Sequence, residues 1–577
     1  MREVPRFARR FFDPEERLFR IGGGSLGGKA LGLRTAAEVL GRRSEEVAAH
    51  GLRVDVPSLV VLGTEFFERF VERNGLASLL EQGASDRRIS DAFHRASIPA
   101  ELVGDLRALA ELVRVPLAVR SSSELEDALG QPFAGVYGTK MIPMSAPDAG
   151  ARSKSLLDAI KFVWASTWFA EARGYLASTT HRGRRERMAV LLQEVVGARH
   201  GDRFYPEISG VARSYNFYPT GGARPEDGVL DLALGLGKTI VDGGLCWTVS
   251  PARPRLAPPF ASASELVAGT QNRFWAIQVG SPPPYQPMAE TEFLVECELA
   301  AAEGDRTLDR IASTYDPASD RIWPGLGRRG PRVLDFAPIL VHREIPLVET
   351  VRTLLAVCEE ELAAPVEIEF ALTLPRGEPA RLGFLQVRPL LVSSDEIEVP
   401  DDWLDGAGTV LASASALGNG RRLLEDVLYV DPDRFEAAAT PQIALEIEEL
   451  NRGLVEQGRS CLLIGFGRWG SSDPWLGIPV RWDQISAARA VVEASLPGMS
   501  PEPSQGSHFF HNLSSFGVLY LTVPSSDPRG VDWAHLRAQP EVRATARVRH
   551  VRCATPLEAV VDGRSRRGVV RAGRGAA

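Results

Sequence analysis

Residues 365–392 read PVEIEFALTLPRGEPARLGFLQVRPLLV. Two runs rich in β-branched and aromatic residues, 365–374 and 380–392, flank the turn PRGEP, which is the pattern of a β-hairpin. In the first run Glu367 and Glu369 alternate with Ile368 and Phe370, so both carboxylates face one side of the strand. Gln386 and Arg388 repeat that spacing on the second run. Two acids on one face are costly unless positive charge compensates them. Either a hard cation such as Mg²⁺, which takes carboxylate and neutral oxygen ligands, sits on this face, or the row is a ladder of surface charges.

Upstream, residues 21–40 read IGGGSLGGKALGLRTAAEVL, a glycine-rich loop running into an amphipathic helix. Glycines let backbone N–H groups approach phosphate oxygens, and Lys29 adds a point charge. The loop is not GxxxxGK[ST], because Ala30 follows the lysine. In VPLAVRSSSELEDALGQPFAGVYGTKMIPM (115–144), an apolar strand delivers Arg120 and three serines to its end, an arrangement suited to an oxyanion. Of the acids Glu124, Glu126 and Asp127, at least two read as a solvated turn. Strand patterns recur at 56–62, 188–196, 209–219 and 227–237, the last ending in a glycine turn with Lys238, and point to a largely antiparallel sheet. Helices are expected at 64–82, 155–177 and 347–363. The tryptophans and phenylalanines of 155–177 are expected to be core.

Residues 250–330, rich in proline, alanine and glycine, read as an insertion or lid-like segment. The acidic stretch 393–406 marks a domain boundary near 400. The expected organisation is a nucleotide-binding domain over 1–395 and a smaller α/β domain over 405–577. The latter should hold helices near 441–457 and 483–496 and the glycine-rich loop in CLLIGFGRWGSSDPWLGIPV (461–480).

Composition narrows the function classes. Hydrophobic residues make up 44% and charged residues 24% of 577, ordinary for a globular chain of several domains. No apolar run reaches membrane-spanning length and the first residues lack a secretory pattern, so a cytoplasmic location is expected. The five scattered cysteines give neither zinc spacing nor a disulfide framework. A net charge of −8 argues against nucleic acid, the Arg-rich tail from Arg543 to Arg574 being the exception, read as a solvated face of a terminal β unit. Only five of the 66 basic residues are lysine: Lys29, Lys140, Lys154, Lys161 and Lys238. In a chain whose default cation is arginine, a compact ammonium carries information.

The segments GGKALGL, VRSSSELEDALGQPFAGVYGT, LLQEVV, ISGVARS, EIEF and FLQVRPL, in this order, resemble the ATP-binding domain of phosphoenolpyruvate synthase and pyruvate phosphate dikinase, which rifampicin phosphotransferase shares. The resemblance covers about residues 20–395. It implies an α+β, ATP-grasp-like split-lobe fold in which Lys29 and Arg120 hold phosphates and Gly135 and Thr139 belong to the phosphate-covering loop. It further implies that Gln193, Glu194 and Val195 meet adenine and ribose, that Glu369 and Gln386 are metal ligands, and that Arg388 is the cation beside them. Two departures stand out. Lys238 occupies a position where such relatives usually have an acid, and no segment here matches their TxGGxxSHAA-like loop with its phosphorylatable histidine.

The function this implies is ATP-dependent phosphoryl transfer of the dikinase type, with ATP and Mg²⁺ as cofactors. Lys29, Arg120 and Arg388 would neutralise charge on the transferred group. The acceptor would be His508, or its neighbour His511, in GSHFFHNL, or a small molecule, or a histidine on a separate protein. The alternatives are a regulatory module that binds ATP without turnover, and an ATP-grasp ligase that would release ADP. No membrane or nucleic-acid partner is expected.

Overall fold

A computed structural model describes residues 4–8, 16–126, 135–178, 186–217, 223–256, 262–390, 397–406, 408–471, 475, 477–496, 517–527, 530–563 and 565–572. These fall into two compact units, one drawn almost wholly from residues up to Leu390 and the other from residues after it. No helix among the described residues is long and apolar enough to cross a membrane.

The first unit is a mixed α and β structure built on several sheets. One sheet orders its strands Leu18–Ile21, Leu59–Leu62, Met188–Glu194, Leu117–Ser123 and Thr139–Ile142, with only the first pair parallel. Its middle strands are buried nearly end to end, because helices cover them. Among these helices are Thr64–Arg73, Asp86–Arg95, Ala100–Leu112 and Ala149–Ser166. Phe70, Phe93, Trp164 and Trp168 interlock there, Phe70 and Trp164 with ring centres 4.8 Å apart, so these aromatics are core. The expected helix at 64–82 stops at Arg73, where a turn containing Gly75 intervenes before the short helix Ser78–Glu81.

A second sheet orders Trp247–Val249, Val229–Ala233, Ile208–Arg213, Val366–Thr373, Arg381–Pro389 and Arg53–Asp55, antiparallel except for its last pair. The hairpin falls in the register its alternation requires, with Glu367 opposite Arg388 and Glu369 opposite Gln386. The helix Leu347–Leu362 lies over the apolar side, where Ile368, Phe370, Leu382 and Phe384 belong to a large buried cluster. The described part of residues 250–330 holds regular elements. It supplies the strands Arg273–Gln278 and Leu294–Glu298, the helix Leu299–Asp305 and the strands Ser313–Asp316 and Arg321–Pro324, and it buries Phe274, Ala302 and Ile311 in that same cluster.

The second unit is a sheet of nine strands. Gly420–Val430, Cys461–Phe466, Ala488–Ala494 and Leu519–Val523 run parallel to one another at its centre, and the helix Thr440–Glu456 packs beside them. The helix expected at 483–496 is instead a 3₁₀ turn, Trp482–Ile485, followed by the strand Ala488–Ala494. A parallel strand bracketed by two neighbours is buried on both faces, so its sequence loses the two-residue alternation and its alanines imitate a helical stripe.

One buried charge cluster ties this sheet together. Asp426 is almost wholly buried and accepts from Arg459 Nε at 2.6 Å and Arg552 Nε at 3.0 Å, with His550 Nε2 at 2.8 Å. Burial alone would raise its carboxyl, but the bonds from His550, Arg459 and Arg552 hold it below the usual carboxylate range. A depressed acid contributes stability above its unfolded value, about 3.9, and loses it as pH falls through the folded value. Urea unfolding of the chain should therefore show a stability loss between about pH 4 and the depressed value that Asp426→Asn removes, the variant being weaker at pH 7 by about 2 kcal/mol. Equal pH profiles for the two proteins would contradict this role.

Candidate functional site

The glycine-rich loop ends where the helix Gly28–Arg42 meets the strand Leu117–Ser123. Gly27, at φ 76°, lies so close to the strand that a Cβ there would fall 1.8 Å from the carbonyl oxygen of Ser122. Only glycine permits that approach. Ser122 then staples the junction, its Oγ accepting from the Ala30 amide at 3.1 Å and donating to the Leu26 carbonyl at 2.8 Å. The helix so placed carries Lys29 to the end of the strand. Lys29 Nζ donates to Glu126 Oε1 at 2.6 Å and to Ser121 Oγ at 3.3 Å.

Glu126 is 1% exposed and also accepts from the Ser121 hydroxyl at 2.7 Å and the Ser123 amide at 2.9 Å. Of the acids read as a solvated turn, Glu124 is exposed, Glu126 is buried and Asp127 lies outside the described residues. Nothing periodic marks Glu126 in the sequence. A signal was nonetheless available, since a buried lysine needs a counter-ion and Glu126 is the acid that follows the apolar Leu125.

Arg120 gathers three of the other predicted residues, Gln193, Glu369 and Gln386. Its guanidinium donates to Gln193 Oε1 at 3.2 Å within its own sheet, and across to the hairpin it donates to Gln386 Oε1 at 2.6 Å, Glu369 Oε2 at 3.3 Å and the Leu385 carbonyl at 3.3 Å. The hairpin register shifts beyond Glu369, so that Phe370 opposes Phe384 and Leu385 is the extra residue. That bulge turns the Leu385 carbonyl toward the arginine. Gln193 is buried, and its Nε2 has no hydrogen-bond partner among the described residues.

The second acid of the hairpin has a different surrounding. Glu367 accepts from Arg213 Nε at 2.6 Å and Arg388 Nε at 2.7 Å, Arg213 reaches on to Asp231 at 3.0 Å, and Thr248 donates to Asp231 at 2.6 Å. This ladder crosses five adjacent strands and is buried throughout most of its length. Burial alone would lower the Arg213 guanidinium, but the facing carboxylates of Glu367 and Asp231 hold it above its ordinary value. Arg388 is thus engaged by Glu367 in this structure.

Thr139 lies opposite Arg120 in the sheet, and Gly135, exposed and at φ 68°, stands four residues before it. Gln193 and Glu194 end their strand, and Val195 continues by bonding its amide to Pro116. Burial pushes the half-buried Glu194 carboxyl up, against the charges of Arg381 and Arg17. Lys238 pairs with Asp242 at 2.8 Å. His508 and His511 lie outside the described residues. In the second unit Trp469 is core, donating Nε1–H to the Val492 carbonyl at 3.0 Å, whereas Trp475 is 71% exposed. Among the described residues no three His, Cys, Asp or Glu side chains cluster as a metal site.

The sequence profile of the pyruvate phosphate dikinase AMP/ATP-binding domain matches residues 24–403. A phosphoenolpyruvate synthase of Aeropyrum pernix is 26% identical over 394 residues, which are 65% of this chain and 41% of the relative. The chain therefore spans about two fifths of the length of that relative.

The Lys29–Glu126 contact is checkable in isolation. Lys29→Ala and Glu126→Ala should each destabilise the protein, and the double variant should lose less than their sum, giving a coupling of about 2 kcal/mol by urea denaturation. Additive losses would mean that the ion pair contributes nothing specific.

Proposed function

The chain belongs to the pyruvate phosphate dikinase AMP/ATP-binding domain family, and from that premise we propose that it is an ATP-dependent phosphotransferase whose Mg-ATP site, of ATP-grasp type, lies between the two sheets joined by Arg120. The observation that carries this reading is the convergence on one guanidinium of Gln193, Glu369 and Gln386, drawn from a strand and a hairpin far apart in the chain. Lys29 stands beside it through Ser121, the next residue along the strand.

In the proposed mechanism the triphosphate replaces the internal partners of the two cations. Lys29 leaves Glu126 and Arg120 turns from the hairpin, each meeting phosphate oxygens, where their charge offsets what spreads over the transferred group. The Glu369 carboxylate and the Gln386 amide oxygen, opposite each other in the hairpin, then become available to a hard cation. These two oxygen donors suit Mg²⁺, which when bound would neutralise charge on the phosphates. Gln193 Nε2, buried and without an acceptor among the described residues, would meet the nucleobase alongside Glu194 and Val195. Gly135 and Thr139 border the segment that covers the phosphates. Arg388 acts through Glu367, keeping its side of the hairpin neutral so that Glu369 alone presents charge.

The chemical step is attack of the acceptor's nucleophilic atom, an imidazole nitrogen where the acceptor is a histidine, on the β-phosphorus. The bond to the α,β-bridging oxygen breaks, AMP leaves with that electron pair, and water later releases the γ-phosphate. The acceptor is a histidine, either His508 or His511 of this chain or one on a separate protein, or else a small molecule.

Mg-ATP at a hundredfold excess over its Kd should stabilise the native chain by about 2.7 kcal/mol, read as a raised melting temperature. Lys29→Ala and Arg120→Ala should shrink that shift, and Glu369→Gln should keep ATP binding at high Mg²⁺ while losing turnover. A full shift in both Lys29→Ala and Arg120→Ala, or undiminished turnover in Glu369→Gln, would remove the site. AMP should accumulate with Mg-ATP and cell extract. ADP in its place would favour a ligase, and an intact shift with no product would favour a non-catalytic ATP-binding module.

A further inference from the structure

Away from those residues, the first unit holds a cavity of about 450 Å³ lined by His94, Arg107, Ser153, Lys154, Lys161 and Tyr285, with Asp158 as the single carboxylate among its lining residues. Three helices form it, Asp86–Arg95, Ala100–Leu112 and Ala149–Ser166, and the segment 280–292 brings Tyr285 to its mouth. Positions 150, 154, 157 and 161 of the last helix share one face, as its 3.6-residue period requires. Two of the five lysines in the whole chain stand on that face.

The charges there are unbalanced. Arg107, Lys154 and Lys161 against Asp158 leave two positive charges, before His94 is counted. Lys154 Nζ lies 3.7 Å from the centre of the Tyr285 ring and 3.4 Å from Asp158, and the Tyr285 hydroxyl donates to Asp158 at 2.8 Å. Lys161 Nζ donates to the His94 carbonyl at 2.8 Å, and among the described residues neither Lys161 nor Arg107 forms an ion pair with a carboxylate. Burial holds the Lys161 ammonium below its ordinary range, which an arriving anion would reverse. The helix terminus itself is spoken for, because Asp148 accepts from the Ala151 amide at 2.8 Å. The attraction therefore comes from side chains. An ammonium is a compact point charge with three rotatable donors, so Lys154 and Lys161 can each meet a phosphate oxygen without a fixed approach.

We propose that this cavity binds the phosphate group of a small phosphorylated metabolite, and that its occupancy is transmitted to the nucleotide site by the segment 280–292. The segment reads GSPPPYQPMAETE, and its four prolines restrict φ and stiffen it. At one end Tyr285 closes on the cavity. Beyond it, the carbonyls of Gln286 and Pro287 accept from Lys140 Nζ at 3.3 and 2.6 Å, and Glu292 pairs with the same ammonium at 2.6 Å. Lys140 is fully buried, and its neighbour Thr139 donates its amide to Glu290 and lies opposite Arg120. Displacing Tyr285 therefore pulls on the strand beside the proposed phosphate arginine. The transmission rests on the nucleotide reading above, while the binding does not.

Calorimetric titration of the full chain with glycerol 3-phosphate tests the binding. In a Lys29→Ala background, which disables phosphate capture at the nucleotide site, one site should remain. Lys161→Met, which keeps the apolar stem, and Lys154→Met, at a largely exposed position, should each weaken it about tenfold. In the absence of the anion both Met variants should bind ATP as the parent does. In the parent, glycerol 3-phosphate should change ATP affinity by about fivefold or more, and in the variants it should not. Undiminished binding in both Met variants, or binding lost with Lys29→Ala alone, would overturn the site. Malonate bound as tightly as glycerol 3-phosphate would overturn the phosphate class, and an anion that binds without altering ATP affinity would overturn the transmission. Should ATP not bind at all, the nucleotide reading fails by itself, and the phosphate titration still decides the cavity.

Discussion

The guanidinium of Arg120 leaves one sheet and ends in another, and the charge it carries tolerates that position only because four acceptors surround it. Much of the first unit is arranged around this reach. The hairpin needs its bulge so that the Leu385 carbonyl turns inward, and Gln193 needs its place at the end of the adjacent strand. The serines after Arg120 then receive the helix Gly28–Arg42 through Ser122 and Gly27, which is how Lys29 comes to stand beside the same strand end.

Each cation in this region already has an internal partner. Lys29 holds Glu126, Arg120 holds Glu369, and Arg213 and Arg388 share Glu367. In a site of low effective dielectric an unpaired ammonium or guanidinium would be far more costly than one in water, so the fold matches these charges. A ligand that takes Lys29 and Arg120 has to release Glu126 and Glu369 together, and a polyanion arriving with a divalent cation satisfies both sides of that exchange. The ladder from Thr248 to Arg388 is the contrasting case. It is buried, closed on itself and stiffens the sheet on which Glu369 is displayed.

Residues 250–330, read from their composition as an insertion or lid-like segment, contribute Phe274, Ala302 and Ile311 to a large buried cluster, and the triple proline before Tyr285 stiffens a segment held at Tyr285 and at Lys140. The strand Ala488–Ala494 reads as a helix in the sequence, because burial on both faces erases the alternation by which strands are recognised.

The hairpin, the glycine loop with its helix, the Arg120 strand and the helices at 347–362 and 440–456 could all be read from residue order, because each is set by local periodicity and turn chemistry. The family could be read as well, since six short segments in fixed order carry it. Residue order could also place Glu367 and Glu369 on one face, but it could not say that one would be closed off by two arginines and the other left at a bridging guanidinium. That division depends on Arg213, some 154 residues away in the chain, and on Arg120, 249 residues away. Which lysine Glu126 would pair with could not be read for the same reason, the two residues being 97 positions apart. Side-chain pairings across such separations are decided by which strands become neighbours and by the cost of leaving a buried charge alone, and only the folded chain brings those two conditions together.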